Sequence, residues 1–500
     1  MIVDNVFRSK NLRSIERQMD EAISFDEWAG FAQKHDSVSG KDAWKNRDDC
    51  SLYDSAEIRI RYDNLRQLLE QENYSDLLYA LNEGIHGNMG GMGRPILYNQ
   101  AKWGTKQLVG DYVSTLVATL EFIADAPDHQ VSFPEKLDFF RRASHCYGRS
   151  ALMMSGGAGL IYFHHGVVQT LIEQDLVPNV ISGASAGSWM AAQLGTLSDK
   201  ELKAGHFDHF RYDMPYHLNP LLVLAGLNEE YSPLLVKQQA MDSFCNDMTF
   251  QEAFEHTGRY INISIAPAEK HQTSRLMNAI TSPNVYIKSA IDASGSIPGV
   301  LPPVTLYAKG ANGKSKPYLP SRKWVDGSFA QDLPAKRLAR LFGVNHHIVS
   351  MINPFAVSFI ADPKLRRSRG LKSAISGLAL EAVKDTLLKT EDYMSRYGAS
   401  FVSPAILFAH AVLDQEYTGD VNIILDKKDF YWRNVLFSFK HEDEMENLIM
   451  AGRRSTWPKV AMIRNASVVG KALDNILEDL EQKEMAGFAG QTLQHMTVAS

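Results

Sequence analysis

Val180-Ile181-Ser182-Gly183-Ala184-Ser185-Ala186-Gly187-Ser188-Trp189-Met190 is the stretch on which the reading of this chain turns. It opens on β-branched residues, passes through a Gly-x-Ser-x-Gly turn, and continues into Trp189-Met190-Ala191-Ala192-Gln193-Leu194, which reads as a helix. A serine between two glycines on a strand-to-helix corner has what a nucleophile elbow requires. The glycines allow a backbone that larger residues would strain and clear a path to Oγ. The following helix aims its N-terminal N–H groups at the charge that develops during attack. The pentapeptide has two readings: Ser185 as a nucleophile, or a small-residue turn that packs a helix closely on a sheet.

Upstream, Ala151-Leu152-Met153-Met154 is a short apolar run with the look of a buried strand. It stops at Ser155-Gly156-Gly157-Ala158-Gly159, and a helix follows with Val167, Val168, Leu171 and Ile172 along it. Strand, Gly-rich loop, helix, strand, elbow and helix make a βαβα unit, so the sequence predicts a parallel sheet with right-handed crossovers. Further strands are expected at 260–265 and 347–351.

The Gly156-Gly157 turn does not complete a Gly-x-Gly-x-x-Gly dinucleotide motif, and no Gly-Lys-Ser/Thr follows it to make a phosphate loop. The remaining reading is an oxyanion hole, with the N–H groups of Gly157 and Ala158 facing the elbow across the carboxyl edge of the sheet. Such donors are worth roughly 3 kcal/mol each in acyl transfer. A serine nucleophile also needs a base. His164 and His165 lie early in the helix after the loop and read as residues that cap or pack it. Asp326, in Lys323-Trp324-Val325-Asp326-Gly327-Ser328, sits at a strand end before an Asp-Gly turn. It is either an ordinary turn former or a base, and a base there must be desolvated enough to raise its pKa toward working pH.

Composition narrows the class. The chain has 500 residues, 45% hydrophobic and 22% charged, which suits a globular protein of two or three cores. A formal net charge of -6 argues against a general nucleic-acid binder. Cys50, Cys146 and Cys245 are odd in number and lack metal-ligand spacing, so neither a disulfide framework nor a metal or other cofactor is expected. The N-terminus carries no basic segment followed by an apolar run, and no apolar stretch is long enough to span a bilayer. The expectation is a cytoplasmic protein, with peripheral membrane association open to it.

Three regions are expected. Residues 1–147 are a helical N-terminal region, with amphipathic runs around Leu12–Ile23, Ile58–Leu69 and Thr105–Ile123 and a polar connector over Lys41–Asp49. Residues 148–357 are an α/β catalytic domain, and 358–500 a helical C-terminal extension. In that extension Lys364-Leu365-Arg366-Arg367-Ser368-Arg369 precedes an amphipathic run from Leu371 to Leu387. It reads either as a seat on an anionic membrane or as a solvated charge run before a core helix.

Gly156-Gly157, Gly183-Ala184-Ser185-Ala186-Gly187 and Asp326-Gly327-Ser328, in that order, resemble the patatin-like phospholipase family. The stretch Ser296-Ile297-Pro298-Gly299-Val300-Leu301-Pro302-Pro303 is similar to the one that precedes the family's aspartate strand. Trp28, Trp44, Leu52-Tyr53-Asp54 and the Leu81–Tyr98 stretch resemble the DUF3336-type accessory domain of its triacylglycerol lipase branch, which includes yeast lipid-droplet and plant seed-oil lipases. Gln331-Asp332-Leu333-Pro334 and Val344-Asn345-His346 carry the same resemblance. It implies a three-layer α/β/α catalytic domain with a mostly parallel sheet. It also implies a Ser185–Asp326 dyad without a catalytic histidine, an oxyanion loop at Gly156, Gly157 and Ala158, and motif glycines Gly183, Gly187 and Gly327. The substrate implied is an acylglycerol or phospholipid, met at a membrane or lipid-droplet surface. Where many members have a third glycine, a basic residue and a closing glycine, this chain has Ala158, Leu160 and Ile161. An alanine at positive φ there costs on the order of 1 kcal/mol, and the missing basic residue favours a neutral glyceride. Competing readings are phospholipase A, lysophospholipase or acyltransferase chemistry on the same site. A Ser-His-Asp esterase using His410 or His441, and a non-catalytic lipid-surface adaptor, are the others.

Overall fold

A computed structural model describes residues 2–209, 234–235, 237–238, 241, 247–269, 273–298, 301–353, 419–426 and 442–498. His410, His441 and the basic segment at 364–369 lie outside the described residues. The chain forms two compact units: Met1–Ser150 with Ala339–His346 and Trp457–Ser500, and Ala151–Leu338 with His347–Thr456.

The first unit is helical. Its N-terminal part holds α1 (Ile2–Glu21), α2 (Phe25–Ser39), α3 (Lys41–Asn46), α4 (Ser55–Glu70), α5 (Tyr74–Gly84), α6 (Pro95–Tyr98), α7 (Gln107–Ala124) and α8 (Phe133–Tyr147). The starts are set by side chains that accept orphan helix N–H groups: Ser24 for α2, Asp54 for α4 and Asn73 for α5. The polar connector expected over Lys41–Asp49 instead contains α3. What anchors it is the buried Lys106, whose Nζ donates to the carbonyls of Trp44 at 2.6 Å and Arg47 at 2.7 Å and lies 4.2 Å from the Trp44 ring centre. A long-range lysine of this kind leaves no local signal in the connector. The C-terminal helix (Val460–Val498) belongs to the same unit. Its Asp474 accepts from Ser144 Oγ at 2.9 Å and from Arg149 Nε at 2.9 Å.

The second unit is built on a mostly parallel sheet flanked by helices. The elements that lie in it wholly or in part are, in chain order, β1 (Arg149–Met154), α9 (Ile161–Glu173), β2 (Val180–Gly183), α10 (Ala186–Thr196), α11 (Asp199–Lys203), α12 (Phe250–Thr257), β3 (Tyr260–Pro267), β4 (Arg275–Met277) and α13 (Ile287–Ser294). They continue with β5 (Leu306–Lys309), β6 (Ser315–Tyr318), β7 (Trp324–Asp326), α14 (Ser328–Gln331), α15 (Ala335–Phe342), β8 (Val344–Met351), β9 (Val421–Ile424) and α16 (Glu442–Thr456). The sheet order is β4-β3-β2-β1-β8-β9, with β7 also paired to β3. Ala151 to Met154 and all of β2 are buried on both faces, which is why they read as continuous apolar runs rather than alternating ones. One face packs Ile261, Ile263 and Ile265 against Ala290, Ile291, Leu306 and the fully buried Trp324.

The register places the chemistry. Met154 lies opposite Gly183, and Gly183 opposite Ile263, so β1 and β2 reach the carboxyl edge of the sheet at one level. Ile265 pairs with Arg275 of β4 and also with Asp326 of β7. A strand residue has one neighbour on each side, and β2 and β4 flank β3 on opposite sides. Strand β7 therefore occupies the lane of β2, beyond its end, and runs antiparallel toward it. Asp326 stands two residues past the level of Gly183, as Ser185 does.

Candidate active site

At the β2–α10 corner Ser185 has φ 49° and ψ −121°, a conformation that costs an L-residue on the order of 1–3 kcal/mol. Its surroundings hold it there. The Ser185 N–H donates to Ser294 Oγ at 2.9 Å, Ser294 Oγ donates to the Ser264 carbonyl at 2.8 Å, and Ser188 Oγ donates to the Ser185 carbonyl at 2.6 Å. The motif glycines are required for close approach. A Cβ on Gly183 would fall on the backbone of Gly187, one on Gly187 on the Met154 carbonyl, and one on Gly327 on the Ser264 carbonyl. Ser185 is only 7% exposed and Asp326 1%.

Burial pushes the Asp326 carboxyl up from its usual 3.8 to about 6, against the opposing pull of hydrogen bonds from the Ser328 N–H, the Ser185 hydroxyl and the Ser328 hydroxyl, and of the Lys237 charge. The Ser328 N–H bond to Oδ1 is 2.8 Å long, and the Asp326 N–H donates to the Ser296 carbonyl at 3.0 Å. Lys237 Nζ donates to Ser296 Oγ at 2.8 Å and pairs with Asp292 Oδ1 at 2.6 Å. The two groups singled out in the sequence are thus brought together, and burial pushes the carboxyl toward the range in which a general base near neutrality is effective.

The Gly-rich loop is the third element. A Cβ on Gly156 would lie 3.0 Å from Ser328 Cβ and 3.2 Å from Ser185 Cβ, so the loop passes directly against the serine. Ala158 does adopt positive φ, 45°. The Gly156 amide differs from expectation: its N–H donates to Asp332 Oδ1 at 2.7 Å and is committed before any substrate arrives. Among the described residues the N–H groups of Gly157 and Ala158 have no such bond, which leaves these two as the amides free to meet an oxyanion.

His164 is excluded as a base by its bonding. Its Nε2 faces the Ser155 carbonyl at 2.9 Å, which can only accept, so Nε2 carries the proton and Nδ1 accepts from Ser350 Oγ at 2.6 Å. Burial lowers its pKa to about 4, opposed by the bond to Ser155. His165 stacks on Phe207 with ring centres 4.7 Å apart. Sequence reasoning gave Asp332 no role of its own. It is fully buried, and Asn353 Nδ2 donates to its Oδ2 at 3.1 Å. Burial raises its pKa to about 7; the bonds from Gly156 and Asn353 pull it down, and the Asp326 charge pushes it up. The signal available in the sequence was its place in Gln331-Asp332-Leu333-Pro334, which carries the family resemblance but says nothing of the amide that Asp332 meets.

Residues 152–339 match the family model described as patatin-like phospholipase, and residues 6–145 match the domain of unknown function DUF3336. The triacylglycerol lipase ptl2 of Schizosaccharomyces pombe is 30% identical over 477 residues, covering 92% of this chain and 75% of that protein. The triacylglycerol lipase SDP1L of Arabidopsis thaliana is 31% identical, covering 94% of this chain and 58% of its own length. A patatin-like phospholipase domain-containing protein of Cryptococcus neoformans is 32% identical over 92% of this chain, which spans only 54% of that longer relative. Among solved structures, VipD from Legionella pneumophila overlaps 61% of this chain and 67% of its own, at a TM-score of 0.28 and 12% identity.

Proposed function

The chain belongs to the patatin-like phospholipase family, and from that premise we propose that it is a serine lipid acyl hydrolase that cleaves carboxylic esters of acylglycerols. The observation that carries this reading is the hydrogen bond between the Ser185 hydroxyl and a buried Asp326 whose pKa stands at about 6. Ser185 Oγ attacks the ester carbonyl and its proton passes to Asp326. The N–H groups of Gly157 and Ala158 hold the oxyanion of the tetrahedral intermediate. Collapse breaks the ester C–O bond, and the leaving alcohol takes the proton from Asp326, which leaves an acyl-Ser185. Water then attacks the acyl group and gives a proton to Asp326, which returns it to Ser185 as the fatty acid departs. The catalytic domain is assigned to 148–357, preceded by the helical region 1–147; of the described residues after 357, Val421–Ile424 adds strand β9 to the catalytic sheet, so that part is not the purely helical extension expected over 358–500.

Within that class a neutral glyceride is the preferred substrate. Leu160 stands where a basic residue would attract an anionic headgroup, and two relatives are named triacylglycerol lipases. The enzyme acts at a membrane or lipid-droplet surface as a peripheral protein; no described helix is long and apolar enough to cross a membrane. The test is release of fatty acid from triacylglycerol, phospholipid and lysophospholipid, each with a Ser185→Ala control. Triacylglycerol is expected to be hydrolysed fastest, and Ser185→Ala to release none. Equal release by Ser185→Ala removes the nucleophile, and a clear preference for phospholipid removes the substrate assignment.

A further inference from the structure

The peptide between Ser155 and Gly156 is held at both ends. Its carbonyl accepts from His164 Nε2 at 2.9 Å, and its N–H donates to Asp332 Oδ1 at 2.7 Å. This plane immediately precedes the two amides assigned to the oxyanion, so its orientation is inherited by them: φ and ψ of Gly156 and Gly157 are the only soft dihedrals in between. The chain around it is fastened as well. Ser155 Oγ accepts from the N–H groups of Ile352 at 2.9 Å and Asn353 at 3.2 Å, and the Ser155 N–H donates to the Ser350 carbonyl at 3.1 Å. The far side of the clamp comes from the segment that carries the base. After Asp326, the single turn of α14 (Ser328–Gln331) brings Asp332 back beneath the loop, fully buried, and Asn353 Nδ2 occupies its second oxygen at 3.1 Å.

We propose that Asp332 is a positioning residue for the oxyanion loop: its carboxylate, oriented by Asn353, clamps the Ser155–Gly156 peptide so that the N–H groups of Gly157 and Ala158 converge beside Ser185. The inference rests on the Ser185–Asp326 reading and deepens it. One segment of chain then supplies both the base and the brace of the oxyanion hole, which ties the distance between them to a short, buried stretch. Two acceptor oxygens are needed, one for a main-chain amide and one for the Asn353 amide. An asparagine at 332 offers only one acceptor, and its own NH₂ would face the NH₂ of Asn353.

The test compares Asp332→Asn and the exchanged pair Asp332→Asn/Asn353→Asp with the unmodified full chain on a soluble p-nitrophenyl ester, together with the rate at which a fluorophosphonate labels Ser185. Asp332→Asn is expected to lower kcat by about 10²-fold, the scale of a lost oxyanion donor, with KM changed by less than about threefold. Labelling should slow in parallel, since it passes through the same anionic geometry. The exchanged pair restores one carboxylate facing one amide and is expected to recover kcat to within about tenfold of the original. A merely structural role would lower the folded fraction without changing kcat per labelled site. The proposal is overturned if Asp332→Asn keeps kcat within about threefold, or if the exchanged pair is as stably folded as the original chain but fails to regain turnover. Ser185→Ala run alongside separates the two claims. Activity that survives it removes the dyad and this inference together. Activity lost in Ser185→Ala but intact in Asp332→Asn removes the inference alone.

Discussion

Replacing Asp326 by Asn should destroy activity and at the same time stabilise the protein. The carboxyl is 1% exposed and its pKa is raised by burial from 3.8 to about 6. A raised carboxyl pKa means that folding disfavours the ionised form. The group's favourable contribution is complete below the unfolded pKa of 3.8 and is lost as pH rises through about 6. At about 1.4 kcal/mol for each tenfold in proton affinity, the ionised carboxylate costs the native state about 3 kcal/mol at pH 8. Roughly half of that accrues between pH 5 and pH 8. Asparagine fits the site. Its oxygen can keep the Ser328 N–H bond of 2.8 Å, and its NH₂ faces the Ser185 and Ser328 hydroxyls, which can turn to accept. Removing the charge also relieves Asp332, whose pKa the Asp326 charge raises, so the coupling has the same sign. Thermal unfolding of the original chain and of Asp326→Asn at pH 5, 6, 7 and 8 reads the difference directly. The variant's advantage should grow with pH, reaching a few degrees in Tm at pH 8, while ester hydrolysis falls to background. A variant less stable than the original at pH 8, or an advantage that does not grow between pH 5 and 8, would refute the burial account. Hydrolysis that persists would refute the dyad.

Three further outcomes follow from the same geometry. Since Asp326 must be ionised to accept the serine proton, kcat/KM should climb tenfold per pH unit below about 6 and level off above it; a profile flat from pH 4.5 to 8 contradicts this. His164, neutral and lowered to about 4, contributes stability that is present above pH 6.5 and is lost as pH falls toward 4, up to about 3 kcal/mol. His164→Gln should therefore flatten the acid side of the stability profile while kcat at pH 8 stays within about tenfold; a loss near 10⁴-fold would instead mark a catalytic histidine. Gly187→Ala puts a Cβ onto the Met154 carbonyl, where neither backbone can yield, and should cost about 3 kcal/mol or more; urea unfolding unchanged from the original chain would show that the elbow is looser than described.

Local chemistry is what the sequence by itself determined. Continuous apolar runs at Ala151–Met154 and Val180–Ile181, broken by glycines before helical periodicity, announced parallel strands ending in glycine-rich turns, because a strand buried on both faces has no polar positions. Ser185 and Asp326 stood out as candidates because each lies in a turn whose glycines, Gly183 and Gly187 for one and Gly327 for the other, could not gain a side chain without striking neighbouring backbone. Pairings between distant residues were decided by the tertiary structure alone. That β7 enters the lane of β2, that Lys106 draws Lys41–Asn46 into a helix, and that Asp332 takes the Gly156 amide all depend on partners far along the chain. An acid, a lysine or an amide looks the same in sequence whether it is solvated or buried against such a partner. Desolvation, which lifts Asp326 into the working range of a base, arises only once the sheet and its helices have closed around it.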